Sequence, residues 1–299
     1  METDDFLRRR ERIDAELARR CALGADCPAR LREAMTYSLL APGKRLRPIL
    51  VLLAANLCEG DETQALPAAC ALEMVHCYSL IHDDLPAMDD DDLRRGRPTC
   101  HKQFDEATAI LAGDALLTLA FETVAEVQPR ETAADCAAIL AKAAGPSGMV
   151  GGQADDVLFA AGDEKTRQKT GTLALLTAIH RRKCGALIGA ALALGARIAN
   201  ASALKAAALE TYGEAFGLAF QITDDLLDIT GDEKTVGKRV HKDDAAGKLT
   251  FPSFLGLEAS RQKADDQITR SVEALAIFPE CESKRTLQAL AESLAGRKS

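Results

Sequence analysis

The chain has 299 residues, of which 47% are hydrophobic and 27% charged, and its formal net charge is −8. This composition fits a soluble globular protein with a sizeable core, and the negative charge argues against a nucleic-acid partner. No apolar run approaches the roughly 20 residues that span a bilayer, and the acidic start lacks a signal segment, so no membrane insertion is expected. The nine cysteines have no Cys-x-x-Cys spacing, which favours a reducing, cytoplasmic location.

Helical periodicity dominates the chain, and alternation of strand length is hard to find. Pro67 is expected near the first turn of one helix, where proline is tolerated, and Asp105 is suited to cap another. The predicted helices cover residues 3–20, 28–40, 46–58, 67–84, 107–127, 132–144, 148–158, 164–196, 203–228, 252–274 and 281–295. No linker or repeat divides the chain, so the prediction is one all-α domain over residues 1–299.

A basic turn opens the third predicted helix, with the sequence Gly43-Lys44-Arg45-Leu46-Arg47-Pro48. Lys44 and Arg47 are three residues apart and can act on one face. A turn glycine, backbone N–H groups and a helix N-terminus all favour an anion there. The alternative is a solvated basic helix start.

The first of two aspartate-rich segments is Asp83-Asp84-Leu85-Pro86-Ala87-Met88-Asp89. Carboxylates packed this densely repel one another and call for hard cations such as Mg²⁺, which bring phosphates with them. Asp83 and Asp89 would be about 600° of rotation apart on an unbroken helix. Pro86 disfavours helix at this point, so the helix should end and Asp89 should fold back toward Asp83. The spacing does not fit an EF-hand calcium loop.

Basic residues flank this first cluster. Arg94 and Arg95 follow it, and His76 lies two helical turns before Asp83 on the same face. Each has a plainer explanation, because surface arginines are commonly solvated and a lone histidine in an apolar helix is commonly a core residue. For all three residues, a role in phosphate binding and the plainer explanation both remain open at this point.

The second cluster, Asp224, Asp225 and Asp228, has the spacing of one helix face, with Gln221 one turn earlier. Its neighbours are mostly apolar, which favours a metal or metal-bridged phosphate over a solvated acidic face. Cations follow at Lys238 and Lys248, and Lys183 precedes the cluster. Gly151-Gly152-Gln153 indicates close helix approach, with Gln153 and Asp156 facing a cavity. The chain has no nucleophile elbow, P-loop, dinucleotide fingerprint or zinc pattern.

In their order along the chain, these segments resemble the trans-isoprenyl diphosphate synthases, most closely the bacterial farnesyl diphosphate synthases. The resemblance covers about residues 40 to 255. It rests on Gly43 to Pro48, His76, the first cluster with Arg94-Arg95-Gly96, Leu111-Ala112-Gly113-Asp114, Gly151-Gly152-Gln153, Lys183, Phe220 to Asp228, Gly237-Lys238 and Gly247-Lys248.

The resemblance implies an all-α, isoprenoid synthase-type helical bundle around a deep central cavity, and a homodimer. It implies head-to-tail condensation of isopentenyl diphosphate with dimethylallyl or geranyl diphosphate to give (2E,6E)-farnesyl diphosphate. The proton would be lost to the released pyrophosphate, and three Mg²⁺ ions would serve each active site. Alternatives are a geranylgeranyl diphosphate synthase, a terpene cyclase or squalene-type synthase, and a non-catalytic partner subunit.

The resemblance also assigns roles to residues. Metal ligands would be Asp83, Asp84, Asp89, Asp224, Asp225 and Asp228. Isopentenyl diphosphate would meet Gly43, Lys44, Arg47, His76 and Arg95, and the allylic diphosphate would meet Arg94, Lys183, Cys184, Gln221, Lys238 and Lys248. The residues expected to carry the catalysis are Asp83, Asp84, Asp89, Arg94, Lys183, Asp224 and Lys238.

Chain length would be set below the first cluster. Ser79 lies one helical turn before Asp83, and Tyr78 lies rotated aside within about 7.5 Å along the axis. An aromatic residue at this position of the family marks farnesyl producers, so Tyr78 is the predicted floor of the tail pocket; ordinary packing is the alternative. Three positions depart from the family pattern, namely Pro42, Cys184 and His241.

Overall fold

The structure is a computed structural model, and it describes residues 4–161, 172–230 and 250–296. Helices dominate it, as predicted. They are α1 (Asp4–Cys21), α2 (Ala29–Leu39), α3 (Leu46–Leu57), α4 (Glu62–Asp83), α5 (Cys100–Gln103), α6 (Glu106–Val124), α7 (Arg130–Ala144), α8 (Met149–Ala161), α9 (Leu173–His180), α10 (Ala186–Ile198), α11 (Ala203–Thr230), α12 (Phe251–Leu255), α13 (Leu257–Ala274) and α14 (Glu282–Ala295). A π-helical turn, Arg181–Gly185, joins α9 to α10, and a 3₁₀ turn, Leu275–Ile277, follows α13.

The all-α prediction is confirmed, with local differences that have identifiable causes. Helix α4 begins at Glu62 rather than Pro67, because the Asp61 carboxylate accepts a hydrogen bond from the Thr63 N–H and caps it. The predicted helix 252–274 is divided at Gly256, whose φ of 78° ends α12.

Two strands were not predicted. In the described residues, β1 (Leu93–Arg94) and β2 (Arg97–Pro98) form an antiparallel hairpin with Arg94 opposite Arg97. The intervening Arg95 and Gly96 both have positive φ, at 54° and 74°, which suits a tight two-residue connection. The hairpin is too short for a periodic hydrophobic signal, so pattern alone could not reveal it.

Contacts group the chain into two compact units. The first, the N-terminal unit, contains residues 2–138 and 194–200. Its core lies along α3, where Leu50 to Ala55 are all fully buried, and α4 packs on both α3 and α6. Helix α1 lies against α3 and α4. Packing of the apolar helix α3 against its neighbours removes its side chains from water, and this burial is the main stabilising contribution to the unit.

The second, the C-terminal unit, contains residues 139–193 and 201–299. Here α11 packs along α13, and an apolar cluster joins Leu176 of α9, Ile222 of α11 and Phe251 of α12. The buried Tyr212 hydroxyl donates to the Leu287 carbonyl at 2.8 Å, so α14 is tied to α11. The single domain over residues 1–299 remains a prediction.

One helix corrects the expectation that no apolar run approaches the length of a membrane span. Helix α6 is long and apolar enough to cross a bilayer by length and composition alone. In the structure it packs against α4 and α2, and 39% of its most apolar window is buried. A core helix of a soluble protein passes the same test, so the feature is weak evidence for a membrane.

Candidate active site

The basic turn before α3 is shaped by two arginines with left-handed backbone. Arg45 is the N-cap of α3 with φ of 49°, and Arg95 of the hairpin has φ of 54°. Arg95 Nη1 donates to the Pro42 carbonyl at 2.9 Å. Its guanidinium occupies the space that a side chain on residue 43 would need, which explains the glycine at Gly43. The structure thus places the Arg95 guanidinium against the turn that carries Gly43, Lys44 and Arg47; their role in binding stays a prediction.

Arg47 and His76 meet across α3 and α4. Arg47 Nη1 and His76 Nε2 are 3.3 Å apart. Burial, followed by the positive charge of Arg47, holds the pKa of His76 well below its usual range, so the imidazole is neutral and accepts the hydrogen bond. Arg47 Nε is buried and has no hydrogen-bond partner among the described residues. A buried guanidinium N–H without an acceptor is a donor suited to an anionic ligand.

The first aspartate cluster is a helix end that folds back, as predicted. Helix α4 ends at Asp83, and the Asp89 N–H donates to the Asp83 carbonyl at 2.9 Å. The Asp91 N–H donates to the Asp84 carbonyl at 3.2 Å in the same way. Pro86 lies in this turn, so its effect on the helix produces the fold-back that brings Asp89 beside Asp83.

Asp84 is used differently from Asp83. Its side chain is buried, and both of its carboxylate oxygens accept from Arg94, with Nε at 2.8 Å from each and Nη2 at 2.5 Å from one. Burial raises the pKa of the Asp84 carboxyl, and the Arg94 guanidinium opposes that rise. Asp83 is half-buried and Asp89 is exposed. The adjacent residues Asp83 and Asp84 therefore have different environments: Asp83 is partly exposed, and Asp84 is buried against Arg94 of the hairpin.

The wall of α4 below this cluster is packed. Tyr78 is 6% exposed, and its ring meets the His82 ring edge-on with centroids 5.7 Å apart. His82 Nε2 lies 3.1 Å from the Ile110 carbonyl, and its ring occupies the space of a side chain on Gly113. The glycine of the Leu111 to Asp114 motif is thereby explained. Ser79 Oγ donates to the His76 carbonyl at 2.9 Å, which is local helix bonding.

The second aspartate cluster lies on the unbroken helix α11, as its spacing predicted. Asp224 and Asp228 are half-buried, whereas Asp225 is 2% exposed. Asp225 Oδ1 accepts from Gln221 Nε2 at 3.0 Å, and Oδ2 accepts from the Phe251 N–H at 2.9 Å. Gln221, expected near the allylic diphosphate, thus donates to the neighbouring carboxylate.

A histidine that sequence reasoning missed completes this arrangement. His180, the last residue of α9, has Nε2 3.4 Å from Asp225 Oδ2 and stacks on the Phe251 ring with centroids 5.7 Å apart. Asp225 therefore connects α11 to α9 and to the start of α12. The sequence carried no signal for this contact, because His180 has no motif of its own.

Lys183 and Cys184 lie in the π-helical turn that follows His180, and both are half-buried. Lys183 Nζ is 2.5 Å from Asp156 Oδ2 on α8. The Lys183 backbone nitrogen fills the space of a side chain on Gly152, so the predicted close approach at the double glycine is confirmed. The Gln153 amide has its nitrogen and oxygen buried with no partner among the described residues. π-Helical turns recur at functional sites because they re-aim side chains.

The donor set fits magnesium only in part. In the described residues, no group of three or more His, Cys, Asp or Glu side chains is arranged to hold a metal. Mg²⁺ does not require one, because it is commonly bound through one or two carboxylates together with substrate phosphates and water. Asp83, Asp224 and Asp228 are half-buried and Asp89 is exposed, so each can reach solvent, whereas Asp84 and Asp225 are buried and hydrogen-bonded to Arg94 and to Gln221 and the Phe251 N–H. Lys238, His241 and Lys248 lie outside the described residues.

Comparison with known proteins agrees with this geometry. The family model "Polyprenyl synthetase" matches residues 28–284. A farnesyl diphosphate synthase of Geobacillus stearothermophilus is 48% identical over 240 residues, covering 79% of this chain and 78% of that protein. Geranylgeranyl pyrophosphate synthase 7 of Arabidopsis thaliana is 45% identical over 272 residues, covering 90% of this chain and 77% of that protein.

The fold is shared as well. An FPP/GFPP synthase of Zymomonas mobilis, solved in its apo form, superposes with a TM-score of 0.87 at 38% identity, covering 97% of each chain. The predicted resemblance, the all-α fold and the prenyltransferase activity are thereby confirmed. The family uses Mg²⁺ and acts on isoprenyl diphosphates. The chain belongs to the polyprenyl synthetase family.

Proposed function

We propose that the protein is a Mg²⁺-dependent (2E,6E)-farnesyl diphosphate synthase, which condenses isopentenyl diphosphate with dimethylallyl diphosphate and then with geranyl diphosphate. The relatives named farnesyl diphosphate synthase, at up to 48% identity, support this product. The single observation that carries the reaction type is the basic turn at Gly43 to Arg47. A cyclase binds one diphosphate and has no need of a second cationic pocket, whereas a condensing enzyme must hold two.

The isopentenyl diphosphate pocket is assigned to this turn. Arg47 presents a buried Nε–H without a described partner, and the neutral His76 holds its other side without adding a charge. Lys44 is exposed beside it. Arginine and backbone N–H groups at a helix start suit a diphosphate because they combine charge with directed hydrogen bonds. Arg95 contributes from the hairpin.

The allylic diphosphate is assigned to the aspartate clusters. Asp83, Asp89, Asp224 and Asp228 would hold Mg²⁺, three ions per active site in our proposal. When bound, the metal supplies charge neutralisation of the leaving diphosphate. Arg94 and Lys183 would add fixed positive charge where the leaving group develops its own negative charge. Cys184, Lys238 and Lys248 are proposed to surround the same group.

The chain's own residues then direct the condensation. Apolar walls exclude water from the allylic cation, which protects the cation from hydrolysis. The double bond of isopentenyl diphosphate, fixed by Lys44 and Arg47, attacks head-to-tail. The new cation loses a proton, for which the released pyrophosphate is the proposed base. His76 accepts a hydrogen bond from Arg47 and is therefore assigned to binding.

Product length is assigned to Tyr78. Its ring is buried on the α4 wall next to His82, five residues before Asp83. The geranylgeranyl diphosphate synthases among the relatives, at 43–45% identity, make the C20 product the second candidate. Replacing Tyr78 with Ala removes the ring and should lengthen the product. Chromatography of the dephosphorylated products measures this, and an unchanged C15 product from Tyr78→Ala would contradict the assignment.

Two further proposals concern the protein's setting. We propose a homodimer and a cytoplasmic location. All nine cysteines are free, which is consistent with a reducing compartment. A non-catalytic partner subunit is disfavoured because neither aspartate cluster has lost a residue.

The test uses the purified protein with Mg²⁺, isopentenyl diphosphate and either dimethylallyl or geranyl diphosphate. Farnesyl diphosphate from both starters supports the proposal. A geranylgeranyl product would show that the protein is the C20 synthase instead. A cyclic hydrocarbon would indicate a terpene cyclase, and absence of turnover would indicate the non-catalytic subunit. Omission of isopentenyl diphosphate is the control. Without it, a condensing enzyme cannot form a product longer than the allylic starter.

A further inference from the structure

We infer that Glu73 and Arg45 are positioning residues for the isopentenyl diphosphate pocket, acting on Lys44 and Arg47 without touching the substrate. This inference rests on the proposed function of the basic turn. Nothing in the sequence pattern or in the resemblance assigns a role to either residue. The geometry does, through the way α4 holds α3.

Arg45 is enclosed on three sides. Its Nη1 donates to Glu73 Oε1 at 3.0 Å, its Nε to Asp14 Oδ1 at 2.7 Å and its Nη2 to the Ala41 carbonyl at 3.0 Å. The side chains of Arg45 and Glu73 are each 4% exposed. Every guanidinium nitrogen of Arg45 therefore makes a hydrogen bond within the protein, and the side chain is almost fully buried, so it is poorly placed to contact a diphosphate.

The backbone explains why such support is needed. Arg45 is the N-cap of α3 with φ of 49°, a conformation that is unfavourable for a residue with a β-carbon. The contacts with Glu73, Asp14 and the Ala41 carbonyl hold it there. Lys44 and Arg47 lie on either side of this residue, so the direction of both side chains depends on the Arg45 backbone staying left-handed.

Helix α4 supports the turn at two points one helical turn apart. Glu73 holds Arg45, and His76, three residues later, holds Arg47. The two contacts differ in charge, which matters for an anionic ligand. The Glu73 carboxylate cancels the charge of Arg45, which is buried for structural reasons. The neutral His76 leaves the charge of Arg47 uncancelled and available to the diphosphate.

The same unit contains a matched control. Arg9 and Glu62 form another arginine–glutamate pair between α1 and α4, with Arg9 Nη2 2.5 Å from Glu62 Oε1 and side chains 3% and 12% exposed. Glu62 is the first residue of α4 and lies eleven residues before Glu73. Loss of this pair should cost stability for the same physical reason and should leave the basic turn alone.

The experiment compares Glu73→Gln with Glu62→Gln in the full-length protein. Isothermal titration with isopentenyl diphosphate gives the dissociation constant, thermal melting gives stability, and steady-state kinetics give KM for each substrate. We expect Glu73→Gln to weaken isopentenyl diphosphate binding about tenfold, while KM for geranyl diphosphate stays within about twofold. Glu62→Gln should lower the melting temperature and leave the dissociation constant within about twofold.

A second variant keeps the test decisive if Glu73→Gln does not fold. The double substitution Arg45→Met with Glu73→Gln removes both buried charges, which costs less stability than leaving one unpaired. We expect it to fold and to bind isopentenyl diphosphate as weakly as Glu73→Gln. Wild-type affinity in either folded variant, or equal weakening in Glu62→Gln, would overturn this inference and leave the proposed function standing. Failure of the wild type to bind isopentenyl diphosphate would overturn the proposed function with it.

Discussion

The two aspartate clusters share a sequence pattern and differ in how the protein uses it. In each, two adjacent aspartates differ in burial: the first is half-buried, and the second is buried and accepts hydrogen bonds from named protein groups. Asp84 is held by one charged partner, the Arg94 guanidinium. Asp225 is held by neutral groups, namely the Phe251 N–H and the Gln221 amide, with the His180 ring nearby.

The difference follows from the local backbone. The first cluster ends a helix, so the chain turns and a nearby hairpin can deliver an arginine. The second lies inside the 28-residue helix α11, where the buried carboxylate meets neighbouring helices and a helix start instead. Adjacent helical residues point about 100° apart, so one of a pair can face a ligand while the other faces the core. The same dipeptide can thus place one carboxylate toward the proposed metal site and the other in the core.

Substitution of the first aspartate in each pair should impair catalysis most. Asp83→Asn and Asp224→Asn should each lower kcat by about 10³-fold, because a lost carboxylate ligand removes charge stabilisation of the leaving diphosphate. Product formation at saturating Mg²⁺ measures the effect, and near wild-type kcat in both variants would show that neither Asp83 nor Asp224 contributes to catalysis.

Asp84→Asn should instead act first on stability. The substitution removes the negative charge opposite Arg94, whose side chain is 27% exposed, so we expect a loss of about 2 kcal/mol in the free energy of unfolding. Urea denaturation measures it. Asp90→Asn is the control, since Asp90 is exposed with φ of 48°, a conformation that asparagine tolerates. Equal stability of the two variants would show that the Asp84–Arg94 pair contributes nothing.

Asp225→Asn should have the smallest effect. The asparagine carbonyl can still accept from the Phe251 N–H, so only the bond to Gln221 is disturbed. The expected loss is about 1 kcal/mol in the free energy of unfolding, measured by the same denaturation. A loss as large as that of Asp84→Asn would mean that the negative charge of Asp225 matters, with His180 as its partner.

The sequence foretold much of this arrangement where the cause was local. Pro86 predicted the end of α4 and the fold-back of Asp89 toward Asp83. The double glycine that includes Gly152 predicted the close approach of α8 to the turn at Lys183. Both of these features depend on neighbouring residues. The family resemblance then linked the basic turn and both clusters to one site.

Long-range contacts could not be foretold in the same way. Periodicity places Asp224 and Asp225 on adjacent faces of α11 but does not say which face is buried. That depends on Phe251, 26 residues further along. The contact of Arg95 with the Pro42 carbonyl, 53 residues away, and the support of Arg45 by Glu73, 28 residues away, are of the same kind. Each joins elements whose packing no short pattern specifies.

The most direct test of the divided pairs is Mn²⁺ binding in the presence of inorganic pyrophosphate, followed by electron paramagnetic resonance. Asp83→Asn and Asp224→Asn should weaken Mn²⁺ binding about tenfold or more, whereas Asp84→Asn and Asp225→Asn should stay within about twofold of the wild type. Equal loss in all four variants would contradict the account, because it would make all four carboxylates metal ligands.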